Sequence, residues 1–95
     1  MTAAKLPPAM SPHESVAAFL RSRFRASLAG RELALDLPLL SSGIVDSFGV
    51  LELIAFLEDT FEVTIDPSRL EMGELETVNR IVALVEQVRQ GTGGR

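Results

Sequence analysis

Val50, Leu53, Ile54, Leu57 and Phe61 recur at spacings of three and four, which places them on one stripe of an α-helix. Asp46 before Ser47 supplies a side-chain oxygen that can cap the first turn. Two other segments repeat this design. Ser11-Pro12-His13-Glu14 offers a capping serine, a first-position proline and a glutamate three residues on that can reach back. Val16, Leu20, Phe24 and Leu28 follow at helical spacing with Ala17 and Phe19 beside them, and Gly30 ends this helix near Ala29. Thr77 caps a last helix whose Val78, Ile81, Val82, Val85 and Val88 share a face. Between these helices, residues 62–66 leave the helical pattern. Asp66-Pro67 restarts a short helical turn through Leu70, and Met72-Gly73-Glu74 breaks it.

None of these stripes can be buried alone, so the helices must pack on one another. The expected fold is all-α. It is a small antiparallel four-helix bundle, with three longer helices, one short helix and a long connection between the first and second. That connection, residues 30–45, is apolar for a loop, carrying Leu33, Leu35, Leu37, Leu39, Leu40, Ile44 and Val45. Pro38 and the Ser41-Ser42-Gly43 turn argue against a strand. Its leucines are expected to pin it across the helical core. Residues 1–10 read as a flexible lead, residues 11–90 as the folded domain and residues 91–95 as a frayed tail. There is no internal repeat.

Composition then excludes most chemistry. The chain of 95 residues has no cysteine, no tyrosine, no tryptophan and one histidine. Disulfides and thiolate metal sites are ruled out, and few groups remain for acid–base catalysis. No apolar run approaches the roughly 20 residues of a membrane span. The N-terminus lacks the basic-then-apolar order of a signal peptide, so a cytoplasmic protein is expected. The net charge of −4 divides unevenly: residues 1–43 carry +2 and residues 44–95 carry −6. An acidic field of that kind repels nucleic acid and attracts basic partners, but taken alone it reads first as a solvated surface kept soluble by like charge.

Ser47 is the one candidate for a functional atom. At a helix N-terminus the first backbone N–H groups lack partners and the dipole is positive, so a phosphate ester on that oxygen would be stabilised. Asp46 can cap the helix or help to hold a divalent cation. Gly49 costs up to about 1 kcal/mol relative to alanine in an exposed helix interior, and its missing side chain leaves room beside Ser47. Taken alone, Asp-Ser before an apolar run is an ordinary capping sequence.

The second long helix has more apolar residues than one stripe needs. Phe48, Leu51 and Ala55 fall off the buried face, flanked by Glu52, Glu58, Asp59 and Glu62. They form either an exposed strip edged by carboxylates, suited to basic partners, or a patch packed under the leucine-rich loop. Other chemistries fit poorly. A serine hydrolase needs a base, and His13 lies in the first turn of another helix. Glu58, Asp59 and Glu62 lack the spacing of a calcium-binding loop. Arg21, Arg23 and Arg25 alternate around the first helix and read as solvated surface.

Residues 39–61 resemble the central segment of the acyl carrier protein family: a leucine-bearing loop, Asp-Ser-Leu, then an acidic amphipathic helix ending near Glu-x-x-Phe. Asp46-Ser47-Phe48 matches Asp-Ser-Leu with phenylalanine for leucine, and Glu58 to Phe61 matches the helix end. Leu75-Glu76-Thr77-Val78 is similar to the Phe-x-Thr-Val that opens the family's last helix. The similarity covers about residues 11–90.

The resemblance implies that a phosphopantetheinyl transferase esterifies Ser47 with 4′-phosphopantetheine from coenzyme A. The arm's thiol then holds an acyl group as a thioester, and the protein itself catalyses nothing. Asp46 belongs to the attachment motif. Phe48, Leu51, Glu52, Ala55, Glu58 and Asp59 become the face that meets acyl-loading and acyl-processing enzymes through their basic patches. A monomer is expected. Family fatty-acid carriers usually have an acidic residue where Gly49 stands, and they are more acidic overall. These departures point to a specialised lipid or polyketide carrier rather than central fatty-acid biosynthesis. Stand-alone aminoacyl carriers of the D-alanyl type tolerate Leu-Asp-Ser-like forms and remain an alternative. A helical adaptor that kept the fold without the modification is another.

Overall fold

A computed structural model describes residues 11–90; the expected lead and tail, 1–10 and 91–95, lie outside the described residues. The described residues form helices and turns without a strand: α1 (Pro12–Arg23), α2 (Arg25–Leu28), α3 (Ser47–Phe61) and α4 (Val78–Arg89), with 3-10 turns at Pro67–Arg69 and Met72–Leu75. The all-α bundle is as expected.

The three longer helices, α1, α3 and α4, each start on a capping side chain. Ser11 accepts from the Glu14 N–H while Glu14 accepts from the Ser11 N–H, which completes the reciprocal box. Thr77 accepts from the Arg80 N–H at 3.0 Å and opens α4. Asp46 does the same for α3.

The first helix differs from its expected course. It divides at Phe24, whose backbone leaves helical torsions (φ −115°, ψ 32°), and α2 continues as one further turn. No glycine or proline marks the break. At the break the Phe24 ring is buried and lies against Gly49 at the start of α3. Ala29 then takes a left-handed conformation (φ 53°) ahead of Gly30 (φ 83°) and ends the segment.

The 62–77 stretch also differs. Asp66 caps the expected short turn, but Met72-Gly73-Glu74 does not end helical structure; it forms a second 3-10 turn. Glu74 reaches back to the Glu71 N–H at 3.1 Å, and fully buried Leu75 anchors the turn against α4.

The core matches the stripes. Val50, Leu53, Ile54, Leu57 and Phe61 from α3 are buried with Val16, Leu20, Phe24 and Leu28 from the first segment. Val78, Ile81, Val82 and Val85 join from α4, together with Leu84, while Val88 is half-buried. Phe19 stacks on Phe56 with centroids 4.2 Å apart, and each ring meets a second phenylalanine edge-on, Phe24 and Phe61 respectively. Phe19 beside Phe56, Arg23 beside Glu52 and Phe24 beside Gly49 set α1 antiparallel to α3. The end of α1 therefore lies beside the start of α3.

The 30–45 connection is pinned as its leucines predict. Leu33, Leu39, Ile44 and Val45 are buried, and Leu37 and Leu40 pack against them; only Leu35 stands out to solvent. Its backbone is tied down as well. Leu39 N–H donates to the Glu76 carbonyl at 2.7 Å, and Val45 N–H returns to the Leu39 carbonyl at 2.9 Å.

Candidate functional site

The start of α3 sits where that pinned loop ends. Buried Ile44 and Val45 fix the chain on the core side, so Asp46, Ser47 and Phe48 emerge on the surface. Asp46 has extended backbone and accepts from the Gly49 N–H through Oδ1 at 2.8 Å. Ser47 is therefore the first residue of a 15-residue helix, exposed, on a backbone held from both sides. The unpartnered N–H groups and dipole of that terminus favour negative charge at its hydroxyl.

Gly49 is buried. A Cβ there would lie 2.7 Å from the Phe24 ring, so the space it frees is already filled by Phe24 and does not open beside Ser47. Asp46 acts as the cap, and among the described residues no three metal-ligating side chains cluster. The divalent-cation role therefore has no support in this geometry.

His13 lies eleven residues before Phe24, roughly 16 Å along the helix at 1.5 Å per residue. Because the far end of α1 meets Ser47's helix, His13 is at the other end of the bundle and cannot serve Ser47 as a base.

The neighbouring face of α3 resolves the two readings left open. Phe48 is 65% exposed and Leu51 62%, so neither packs under the leucine-rich loop. Ala55 and Asp59 are exposed beside them. Two of the flanking glutamates, Glu52 and Glu58, are engaged within the fold. Both Glu52 carboxylate oxygens lie 2.7 Å from Nη2 of Arg23. That hydrogen bond, with the attraction of Glu52 and of Asp46, raises the Arg23 pKa. Glu58 accepts from the Ile65 N–H at 2.8 Å and so closes the chain after α3.

Two groups with structural work at this end had no signal in the sequence. Arg23, which read as solvated surface, bridges α1 to α3. Phe24, buried as its stripe predicts, also forms the wall under Gly49. Glu76 holds the loop that delivers Ser47: its carboxylate accepts from the Leu40 and Ser41 N–H groups, each at 3.2 Å, and from the Ser41 hydroxyl. The Ser41 hydroxyl holds the Glu76 carboxyl below its ordinary range. Glu76 stands 35 residues from Ser41, beyond any local pattern.

The Ser47 hydroxyl thus stands exposed at a capped helix start beside an exposed apolar strip. The chain belongs to the family of the phosphopantetheine attachment site, whose profile matches residues 18–85. Members carry substrates on a covalently attached 4′-phosphopantetheine and are not themselves enzymes.

The chain is 36% identical over 53 residues to a D-alanyl carrier protein of Lactococcus lactis subsp. cremoris (strain MG1363), covering 56% of this chain and 67% of the relative. It is 38% identical over 55 residues to the D-alanyl carrier protein of Lacticaseibacillus rhamnosus, covering 58% and 68%. It is 33% identical over 55 residues to that of Streptococcus mutans serotype c (strain ATCC 700610 / UA159), covering 58% and 70%. No solved structure matches the chain significantly. Among the described residues no helix is long and apolar enough to cross a membrane.

Proposed function

We propose that Ser47 is the attachment point and that this chain is a stand-alone carrier of an aminoacyl cargo, D-alanyl or closely similar. The observation that carries the first part is the exposed Ser47 hydroxyl at a helix start held by the Asp46 cap and the buried Ile44-Val45 pair. The hydroxyl is open to a transferase, and the positive helix end favours the phosphodiester that replaces it. When bound, the arm supplies a thiol that carries the cargo as a thioester. Asp46 keeps the helix start formed, and Phe48 with Leu51 offers a contact surface to enzymes that load and unload it.

The relatives support the second part. Their printed names are those of D-alanyl carriers, which favours the aminoacyl alternative over the lipid or polyketide cargo that the departures from the fatty-acid pattern first suggested. Gly49 fits either cargo, because the Phe24 ring accounts for it by packing alone.

The test offers the modified chain two cargoes separately. An amino-acid-adenylating enzyme with ATP and D-alanine is one; an acyl-activating enzyme with a fatty acid is the other. The proposal expects a mass gain of one alanyl group and little or no fatty acylation. Preferential fatty acylation contradicts the cargo assignment and leaves the attachment point standing.

A further inference from the structure

Arg21, Arg25 and Arg31 line one concavity, closed by Ala18 and Leu28 and by the turn at Gly30. Arg21, near the end of α1, and Arg25, at the start of α2, stand on either side of the break at Phe24 and line the same hollow, while Arg23 pairs with Glu52. The left-handed Ala29-Gly30 turn folds the chain back and brings Arg31 to the same hollow. Arg31 Nε donates to the Leu28 carbonyl at 3.5 Å, which holds its guanidinium over α2. None of the three has a carboxylate partner among the described residues.

The hollow gathers three cationic side chains with no carboxylate among its lining residues. A helix C-terminus favours a cation, but it does not require three to converge. On a chain of net charge −4, three of the arginines surround one hollow instead of pairing with the abundant carboxylates. Guanidinium groups offer planar, paired donors that match a phosphate better than a point charge does. The floor, with buried Leu28, leaves the donors on the rim.

We propose that this hollow is an anion site that takes a phosphate group, separate from the acidic α3 face. The phosphate belongs either to a soluble organic phosphate or to a lipid headgroup, and the guanidinium rim recognises what the two share.

The full chain is titrated with sodium pyrophosphate at constant ionic strength, with backbone and arginine Nε resonances followed by NMR. Expected are saturable shifts confined to residues 18–31. Arg25→Gln and Arg31→Gln should each weaken binding at least about tenfold, the range of a lost charged hydrogen bond. Arg69→Gln and Arg80→Gln should leave it unchanged. All four side chains are exposed, so the variants keep the fold. Non-saturating shifts, equal shifts at Arg69, Arg80 and Arg89, or wild-type binding by Arg25→Gln overturn the proposal. A second arm uses vesicles of phosphatidylglycerol in phosphatidylcholine. Vesicle binding that is lost in Arg25→Gln and displaced by pyrophosphate assigns the phosphate to a headgroup. Pyrophosphate binding without vesicle binding assigns it to a soluble compound. Binding of neither, or vesicle binding indifferent to Arg25→Gln, counts against the site.

Discussion

Gly49 meets Phe24 so closely that a Cβ on the glycine would stand 2.7 Å from Cε1 of the ring and 3.2 Å from Cγ1 of Val45. The end of α1 and the start of α3 approach each other through the missing side chain. An acidic residue here would bring the same Cβ, and a carboxylate as well, against a buried ring. Gly49→Ala should therefore lower stability, by up to about 2 kcal/mol once a helix-propensity gain of about 1 kcal/mol is set against an overpacking cost of about 1–3 kcal/mol. Urea unfolding measures this. Phe24→Leu in the Gly49→Ala background should recover part of the loss. A Gly49→Ala variant more stable than wild type would show that the ring yields freely.

The helices were legible because caps and stripes are local. Ser11, Asp46 and Thr77 each announce a start within three residues, and the α3 stripe is buried throughout. Ser47 was legible because it depends on those same local signals. What escaped depends on contacts far apart in sequence. Phe24 meets Gly49, Glu76 grips Ser41, and Arg23 pairs with Glu52. The exposure of Phe48 and Leu51 was undecidable from pattern, since it turns on where a loop elsewhere in the chain lies.

Glu76 ties stability to pH. Its folded pKa lies below its ordinary value of 4.5, with the Ser41 hydroxyl the largest cause and the Ser41 and Leu40 N–H groups adding to it. A carboxyl depressed on folding contributes stability that is fully present above the unfolded pKa. That contribution is lost as pH falls through the folded pKa. Glu76→Gln should thus be less stable than wild type at pH 7, and the gap should narrow below about pH 4. Asp66, lowered by Ser68, adds a loss of the same sign that Asp66→Asn isolates. A gap between wild type and Glu76→Gln that is constant from pH 7 to pH 3 would contradict the role given to Glu76.

The two glutamates of the α3 face should separate when reversed. Glu58→Lys removes the acceptor of the Ile65 N–H and should cost roughly 1 kcal/mol, since a partly buried donor loses its partner. Glu52→Lys breaks an exposed pair with Arg23, which matters little for stability, and should instead slow loading by partners with basic patches. Unfolding curves and loading rates on the same samples decide. Equal loading by Glu52→Lys and wild type would remove Glu52 from the contact face.

Phe48 and Leu51 expose most of their surface, so truncation removes little that the fold uses. Phe48→Ala and Leu51→Ala should each change stability by no more than about 0.5 kcal/mol. Each should lower the kcat/KM of modification or loading about tenfold or more, as loss of an apolar anchor does at an interface. A large drop in stability with unchanged kcat/KM would mean that these side chains serve the core.

The most direct test is the intact mass of the full chain after incubation with coenzyme A and a phosphopantetheinyl transferase. Wild type should gain one phosphopantetheine, and Ser47→Ala, equally folded, should gain none. A wild-type chain left unmodified by several competent transferases, or a Ser47→Ala chain that is still modified, would contradict the assignment of Ser47.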